Sequence, residues 1–185
     1  MSTELLRPNE PPPYQFYKEH LPPQIEIFGG PNFFPDELCS GLAQIVAEMP
    51  ERKQRFDFTW PDPAGDDVPG LITEAAHWAN KHKTPVNTAI LKRYVAGEDY
   101  QSRAYELHQD PEEFGTQRLV LVTLFGDAEL TAVTGRGDTV KLPCGPRGVV
   151  FLAPEIAHSI TEPLNPGGVR YLLFMGFRSP VNAAP

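Results

Sequence analysis

Cysteine is almost missing: the 185 residues hold two, Cys39 and Cys144. Two thiols cannot build a disulfide scaffold or a cysteine-based zinc site. No Lys/Arg-rich run occurs, the net charge is −8 and the isoelectric point is about 5.1, so nucleic acid is not an expected partner. No apolar stretch is long enough to span a bilayer. The first thirty residues lack a charged segment followed by an apolar one. A protein of the reducing cytoplasm, with no membrane partner, is therefore expected. The zinc-protease signature His-Glu-x-x-His is absent, and there is no internal repeat and no sign of a second domain.

What is present is proline and glycine, 21 and 15 residues, with 41% hydrophobic and 22% charged residues. That composition suits one globular domain rich in turns and short strands. Residues 1–24 are polar and proline-rich and read as a surface or covering segment, with Tyr14, Phe16 and Tyr17 able to pack. Residues 25–178 read as the domain and 179–185 as a tail. A short strand is predicted over 25–28. A helix follows over about 36–49, with Leu38, Leu42, Ile45, Val46 and Met49 three and four apart. Cys39 on it reads as a small buried residue. Alternation over 55–60 predicts a strand, and a second helix is predicted over about 70–82. His77 and His82 are five apart, so they do not share a helix face as a ligand pair would. From residue 88 onward the pattern is strands: 88–94, 104–109, 118–125, 128–133, 139–142, 148–152, 157–162 and 169–177. Eight short strands separated by Gly, Pro and Asp turns predict an antiparallel sandwich or barrel.

The chemistry concentrates between Tyr105 and Arg170. His108 and Asp110 are two residues apart in a segment that reads as extended, and a strand sends such residues to one face. His158 arrives from a later strand. Two imidazoles and one carboxylate on one side of a metal, with other positions open, suit non-haem Fe(II) and oxygen chemistry. Arg170 opens the last apolar run, where a guanidinium could grip a carboxylate. Each residue also has a plainer reading. His108 could be an interior histidine, Asp110 a turn former before Pro111, and Arg170 a surface strand residue. Glu155 is a rival carboxylate and Arg178 a rival anchor.

Taken with Tyr94-Val95-Ala96-Gly97 ahead of it and Arg170-Tyr171-Leu172-Leu173-Phe174 at its end, this constellation resembles the Fe(II)/2-oxoglutarate-dependent dioxygenases. Within them it is most similar to the prolyl-hydroxylase-like group, over roughly residues 25–178. The resemblance implies a mainly β fold with flanking helices, whose core is a double-stranded β-helix, or jelly roll. It implies Fe(II) held by His108, Asp110 and His158, with 2-oxoglutarate as cosubstrate and O2 as oxidant. It implies that Arg170 pairs with the far carboxylate of the cosubstrate, and that Tyr94 and Thr123 offer hydroxyls to it. A carboxylate at position 110 favours hydroxylation, since relatives that halogenate carry a small residue there. The implied substrate is a protein or peptide side chain, such as prolyl, or a small amino-acid-like molecule. Cupins, the rival fold family, usually present His-x-His, which is absent here. A non-catalytic jelly-roll binding or sensing domain is the alternative of a different class, and a nucleic-acid oxidative demethylase is the third.

Overall fold

In a computed structural model of the chain, the residues described are 25–28 (backbone only), 33–50, 55–59, 69–82, 84–97, 105–110, 119–133, 137–153, 156–164 and 167–177. The expected N-terminal segment, Glu155, Arg178 and the tail lie outside them.

Nine strands and two helices make up the described fold. They are β1 (Ile25–Phe28), α1 (Asp36–Ala47), β2 (Arg55–Thr59), α2 (Gly70–Lys81), β3 (Thr88–Val95) and β4 (Leu119–Phe125), then β5 (Ala128–Val133), β6 (Thr139–Cys144), β7 (Val149–Leu152), β8 (Ala157–Ile160) and β9 (Val169–Gly176). They form a six-stranded sheet in the order β1-β7-β4-β9-β3-β2 and a three-stranded sheet in the order β6-β5-β8. Every pairing is antiparallel. From β4 to β9 the chain passes repeatedly between the sheets, with β4, β7 and β9 in the larger and β5, β6 and β8 in the smaller, which is the winding of a jelly roll.

Burial explains why the larger sheet reads as nearly unbroken apolar runs. β4 is buried from Leu119 through Leu124, because both of its faces are covered. Leu119 and Leu121 join Leu130, Leu142, Val150, Leu152 and Leu172 in a core between the two sheets. Val120, Val122 and Leu124 turn the other way and meet Phe151, Leu173 and Met175 under the helices. The helices bring Leu38, Leu42 and Val46 from α1 and Ile72, Ala75, Ala76 and Ala79 from α2 to that second core. Arg93 on β3 reaches the end of α1, donating to the carbonyls of Met49 (3.3 Å) and Pro50 (2.9 Å).

One predicted strand takes a different form. The segment expected to be extended over 104–109 has Tyr105 in helical geometry, and it meets the small sheet through a single isolated bridge, His108 to His158. The remaining predicted strands of the 88–177 region are present with ends shifted by a few residues. Gly167 and Gly168 both take positive φ, 104° and 60°. They close the end of the β3–β9 ladder, where Ala96 N–H donates to Gly168 O at 2.7 Å. A Cβ on Gly168 would lie 2.9 Å from Ala96 Cβ, so only glycine fits this approach.

Leu173 is fully buried, with Leu91 and Val122 as its cross-strand neighbours. Leu173→Ala should cost about 2–5 kcal/mol. It should lower the urea midpoint at an unchanged denaturant slope, measured on the purified protein.

Candidate metal centre and its anion pocket

The two histidines are joined before any metal is considered. His108 N–H donates to His158 O at 2.9 Å, and His158 N–H donates to His108 O at 2.8 Å. This exchange makes them a hydrogen-bonded antiparallel pair, so their side chains rise from the same face. The other edge of β8 is held by β5, with His158 opposite Ala132. The imidazole centroids lie 4.6 Å apart.

Each ring is turned the same way by its own strand. His108 Nδ1 lies 2.8 Å from Glu106 O, and His158 Nδ1 lies 3.0 Å from Ile156 O. A carbonyl oxygen can only accept, so in both rings Nδ1 carries the proton. In the neutral imidazole Nε2 is then a lone pair. Orienting a ligand histidine through its second nitrogen is the usual support of a metal site. Asp110 completes the group: its Oδ2 is 3.5 Å from His158 Nε2. One donor atom from each of His108, Asp110 and His158 lies within 4.8 Å of the others. Donors at about 2.0–2.2 Å on one side of an ion stand roughly 3 Å apart, so the three side chains would draw together around a bound cation. The residues fit a divalent cation with two nitrogen ligands and one oxygen ligand, all from one side. That donor set, with positions left open, suits non-haem Fe(II).

The electrostatics favour the ligand form of His158. Burial pushes its pKa below the ordinary 6.5, and the positive charge that His108 can carry adds to this. Asp110 and the Ile156 carbonyl act in the opposite direction.

Arg170 presents the second feature. It sits on β9 opposite Tyr94 of β3 and is only 2% exposed. Nη2 donates to Thr123 Oγ1 at 3.0 Å, while Nε and Nη1 are buried with no hydrogen-bond acceptor. The guanidinium lies 5.7 Å from the centre of the Tyr94 ring. Among the described residues no carboxylate is paired with it. Burial lowers its pKa, against the influence of Cys144, Tyr94 and Tyr105, yet a guanidinium keeps its proton in proteins. A buried cation with unfilled donors needs an anion. The space beside it is a small pocket between the sheets, lined by Leu121, Thr123, Leu130, Cys144 and Gly148 among others.

The structure thus draws together His108, Asp110 and His158 at one place, and Arg170, Thr123 and Tyr94 at another. Tyr105 links the two, three residues before His108 and with its ring 6.4 Å from that of Tyr94. His77 is exposed. His82 packs against Trp78 and Phe33, away from the triad. Sequence reasoning did not find the two carbonyls that orient the imidazoles, nor Cys144 in the pocket wall. Position alone could have suggested the carbonyls, because each belongs to the residue two before its histidine.

No protein-family model and no curated protein matches the sequence. Solved structures do match. A prolyl-4-hydroxylase from Pseudomonas putida superposes with a TM-score of 0.58 at 15% identity, over 85% of this chain and 93% of that one. The chain is a jelly roll. An acireductone dioxygenase from Bacillus anthracis aligns more loosely, with a TM-score of 0.44 at 10% identity over 84% of this chain and 92% of that one. Likeness at such identities speaks to the fold alone.

A pH dependence follows from His158. Its folded pKa is lowered, so the unfolded chain binds the proton first as pH falls. The metal-free protein should lose stability as pH drops below about 6.5, and the loss should level off once the folded state is protonated as well. Urea midpoints of the metal-free protein from about pH 7.5 to about pH 5.5 measure this, and His158→Asn should flatten the dependence. An equal slope in His158→Asn would assign the effect elsewhere.

Proposed function

We propose that this protein is an Fe(II)- and 2-oxoglutarate-dependent oxygenase. It hydroxylates a C–H bond of a protein or peptide side chain, such as a prolyl ring, or of a small amino-acid-like molecule. The observation that carries this reading is the pairing of two incomplete sites in one jelly roll. One is a His-Asp-His triad with both Nε2 lone pairs set for a cation. The other is a buried arginine whose donors lack an anion. 2-Oxoglutarate is a molecule with an anionic end for each. The resemblance of the sequence to the prolyl-hydroxylase-like group and the likeness of the fold to a prolyl-4-hydroxylase support the same choice.

In this reading His108, Asp110 and His158 hold Fe(II), which supplies O2 activation coupled to oxidative decarboxylation of 2-oxoglutarate to succinate and CO2. The protein provides geometry and exclusion of water. The Ile156 and Glu106 carbonyls keep each Nε2 unprotonated. Arg170 binds the far carboxylate by charge-assisted hydrogen bonds in an apolar surround, where they are strong. Thr123 Oγ1 accepts from Arg170, which leaves its own proton to donate to that carboxylate. Tyr94 walls the same seat.

The first test is an anaerobic titration of metal-free protein with Fe(II) and then 2-oxoglutarate, followed by visible absorption. A weak charge-transfer band that needs both additions and is lost in His108→Ala is the expected result. Its absence in folded wild type would sink the oxygenase reading and leave a jelly-roll binding or sensing domain. Asp110→Ala should abolish formation of succinate coupled to hydroxylation. Arg170→Leu should weaken 2-oxoglutarate binding about 30-fold or more while Fe(II) affinity stays within a few-fold. Removing an uncompensated buried charge should also leave its melting temperature unchanged or raised. A lowered melting temperature with 2-oxoglutarate affinity intact would make Arg170 a structural residue instead.

A further inference from the structure

The turn joining β6 to β7 holds Arg147, the one residue other than glycine, among those described, with a left-handed backbone (φ 62°). That conformation is costly for any residue with a Cβ. Glycines stand close by at 145 and 148, so the chain has placed an arginine where a smaller residue would sit at less cost. The side chain accounts for it. Arg147 Nε donates to Phe34 O at 2.6 Å, and Nη1 lies 3.6 Å from Asp36 Oδ1 at the start of α1. The Arg147 carbonyl also accepts Phe34 N–H at 3.0 Å. Phe34 is itself fully buried and packed edge-on against Trp78. The turn is therefore fastened to the approach to α1 by main chain and side chain together.

Its other side grips Thr123. Arg147 N–H donates to Thr123 O at 2.7 Å, and Thr123 N–H donates to Gly148 O at 3.0 Å. Thr123 is where the β4–β9 ladder loses register: it lies opposite Leu172, and Phe125 then lies opposite Tyr171. Thr123 follows Leu119 and Leu121 on the inter-sheet side of β4, and its hydroxyl meets Arg170 immediately before the register shift. A continuous path runs from Phe34 and Asp36 through Arg147 to Thr123 and the guanidinium.

We propose that Arg147 is a positioning residue for the anion pocket. Its side chain holds the turn in the left-handed form, and the turn holds the Thr123 hydroxyl against Arg170. This rests on the reading of Arg170 as the seat of the 2-oxoglutarate carboxylate. Two substitutions separate the parts. Arg147→Ala keeps the Cβ that opposes the left-handed form and removes the contacts that offset it. Arg147→Gly removes the same contacts but adopts the form freely.

The experiment is anaerobic titration of Fe(II)-loaded wild type and variants with 2-oxoglutarate, with parallel titrations by Fe(II) alone and a thermal melt of each protein. The expected order of 2-oxoglutarate affinity is wild type, then Arg147→Gly weakened about threefold, then Arg147→Ala weakened roughly tenfold, with Fe(II) affinity unchanged. If Arg147→Ala does not fold, Arg147→Lys takes its place beside Arg147→Gly. By retaining a cationic donor on the turn, it should recover part of the affinity. A merely structural role would lower the melting temperatures and leave 2-oxoglutarate affinity within twofold of wild type, which overturns the proposal. Equal weakening of Fe(II) and 2-oxoglutarate overturns it too, because the damage would then be general. If wild type binds Fe(II) but shows no response to 2-oxoglutarate, the reading of the Arg170 pocket falls and this one with it. If wild type responds and the variants match it, Arg147 alone is removed.

Discussion

One buried positive charge sets the terms for the interior. Arg170 stands on β9, a central strand of the larger sheet, buried near Tyr94, Tyr105 and Cys144 and with a single side-chain hydrogen bond among the described residues, to Thr123. An apolar residue of similar size would make a drier and cheaper core. Keeping a guanidinium there means that the inter-sheet space cannot close as tightly as the helix-covered face does. The two cores differ accordingly. The helix side is filled by Phe34, Phe151, Leu173 and Met175, all fully buried, while the inter-sheet side keeps its pocket.

The two parts of the site are carried by different layers. Arg170, Thr123 and Tyr94 belong to the larger sheet, whereas His158 belongs to the smaller and His108 and Asp110 are attached to its edge. The spacing between the candidate metal triad and the pocket beside Arg170 therefore depends on the packing of Leu121, Leu130, Val150 and Leu172 between the sheets. Leu121, Leu130 and Val150 also line the pocket beside Arg170, so the packing between the sheets and the shape of that pocket are set by the same side chains.

Much of this was legible in the sequence. The helices announced themselves through three- and four-residue apolar spacing, and α1 and α2 occupy nearly the predicted spans. The strands were readable because β4 and β9 are covered on both faces and so are largely apolar, interrupted by Thr123 in one and by Arg170 and Tyr171 in the other. The residues His108, Asp110, His158 and Arg170 stood out by type and order. The segment carrying His108 was harder. Among the described residues it makes one backbone bridge, at His108, so it lacks the regular pairing that leaves an alternating pattern in a sequence. The place of Arg147 was also hidden. Pro143-Cys144-Gly145-Pro146 reads as a turn, but the strand continues to Cys144 and the turn falls on 145–148. Nothing in an isolated Gly-Pro-Arg-Gly says which residue takes positive φ, since that is decided by Phe34, more than a hundred positions away.

The isolated bridge at His108 also governs how the site opens. The smaller sheet ends at β8, and the next rung on that edge is the exchange of two hydrogen bonds between the histidines themselves. Parting these two bonds would draw His108 away from His158, two of the three residues of the candidate triad. Closing the sheet edge and assembling the coordination sphere are thus one event. An ion bound there acts as a clasp on the edge of the barrel, and the exchange rates of the His108 and His158 amides become a direct gauge of how firmly that clasp is shut.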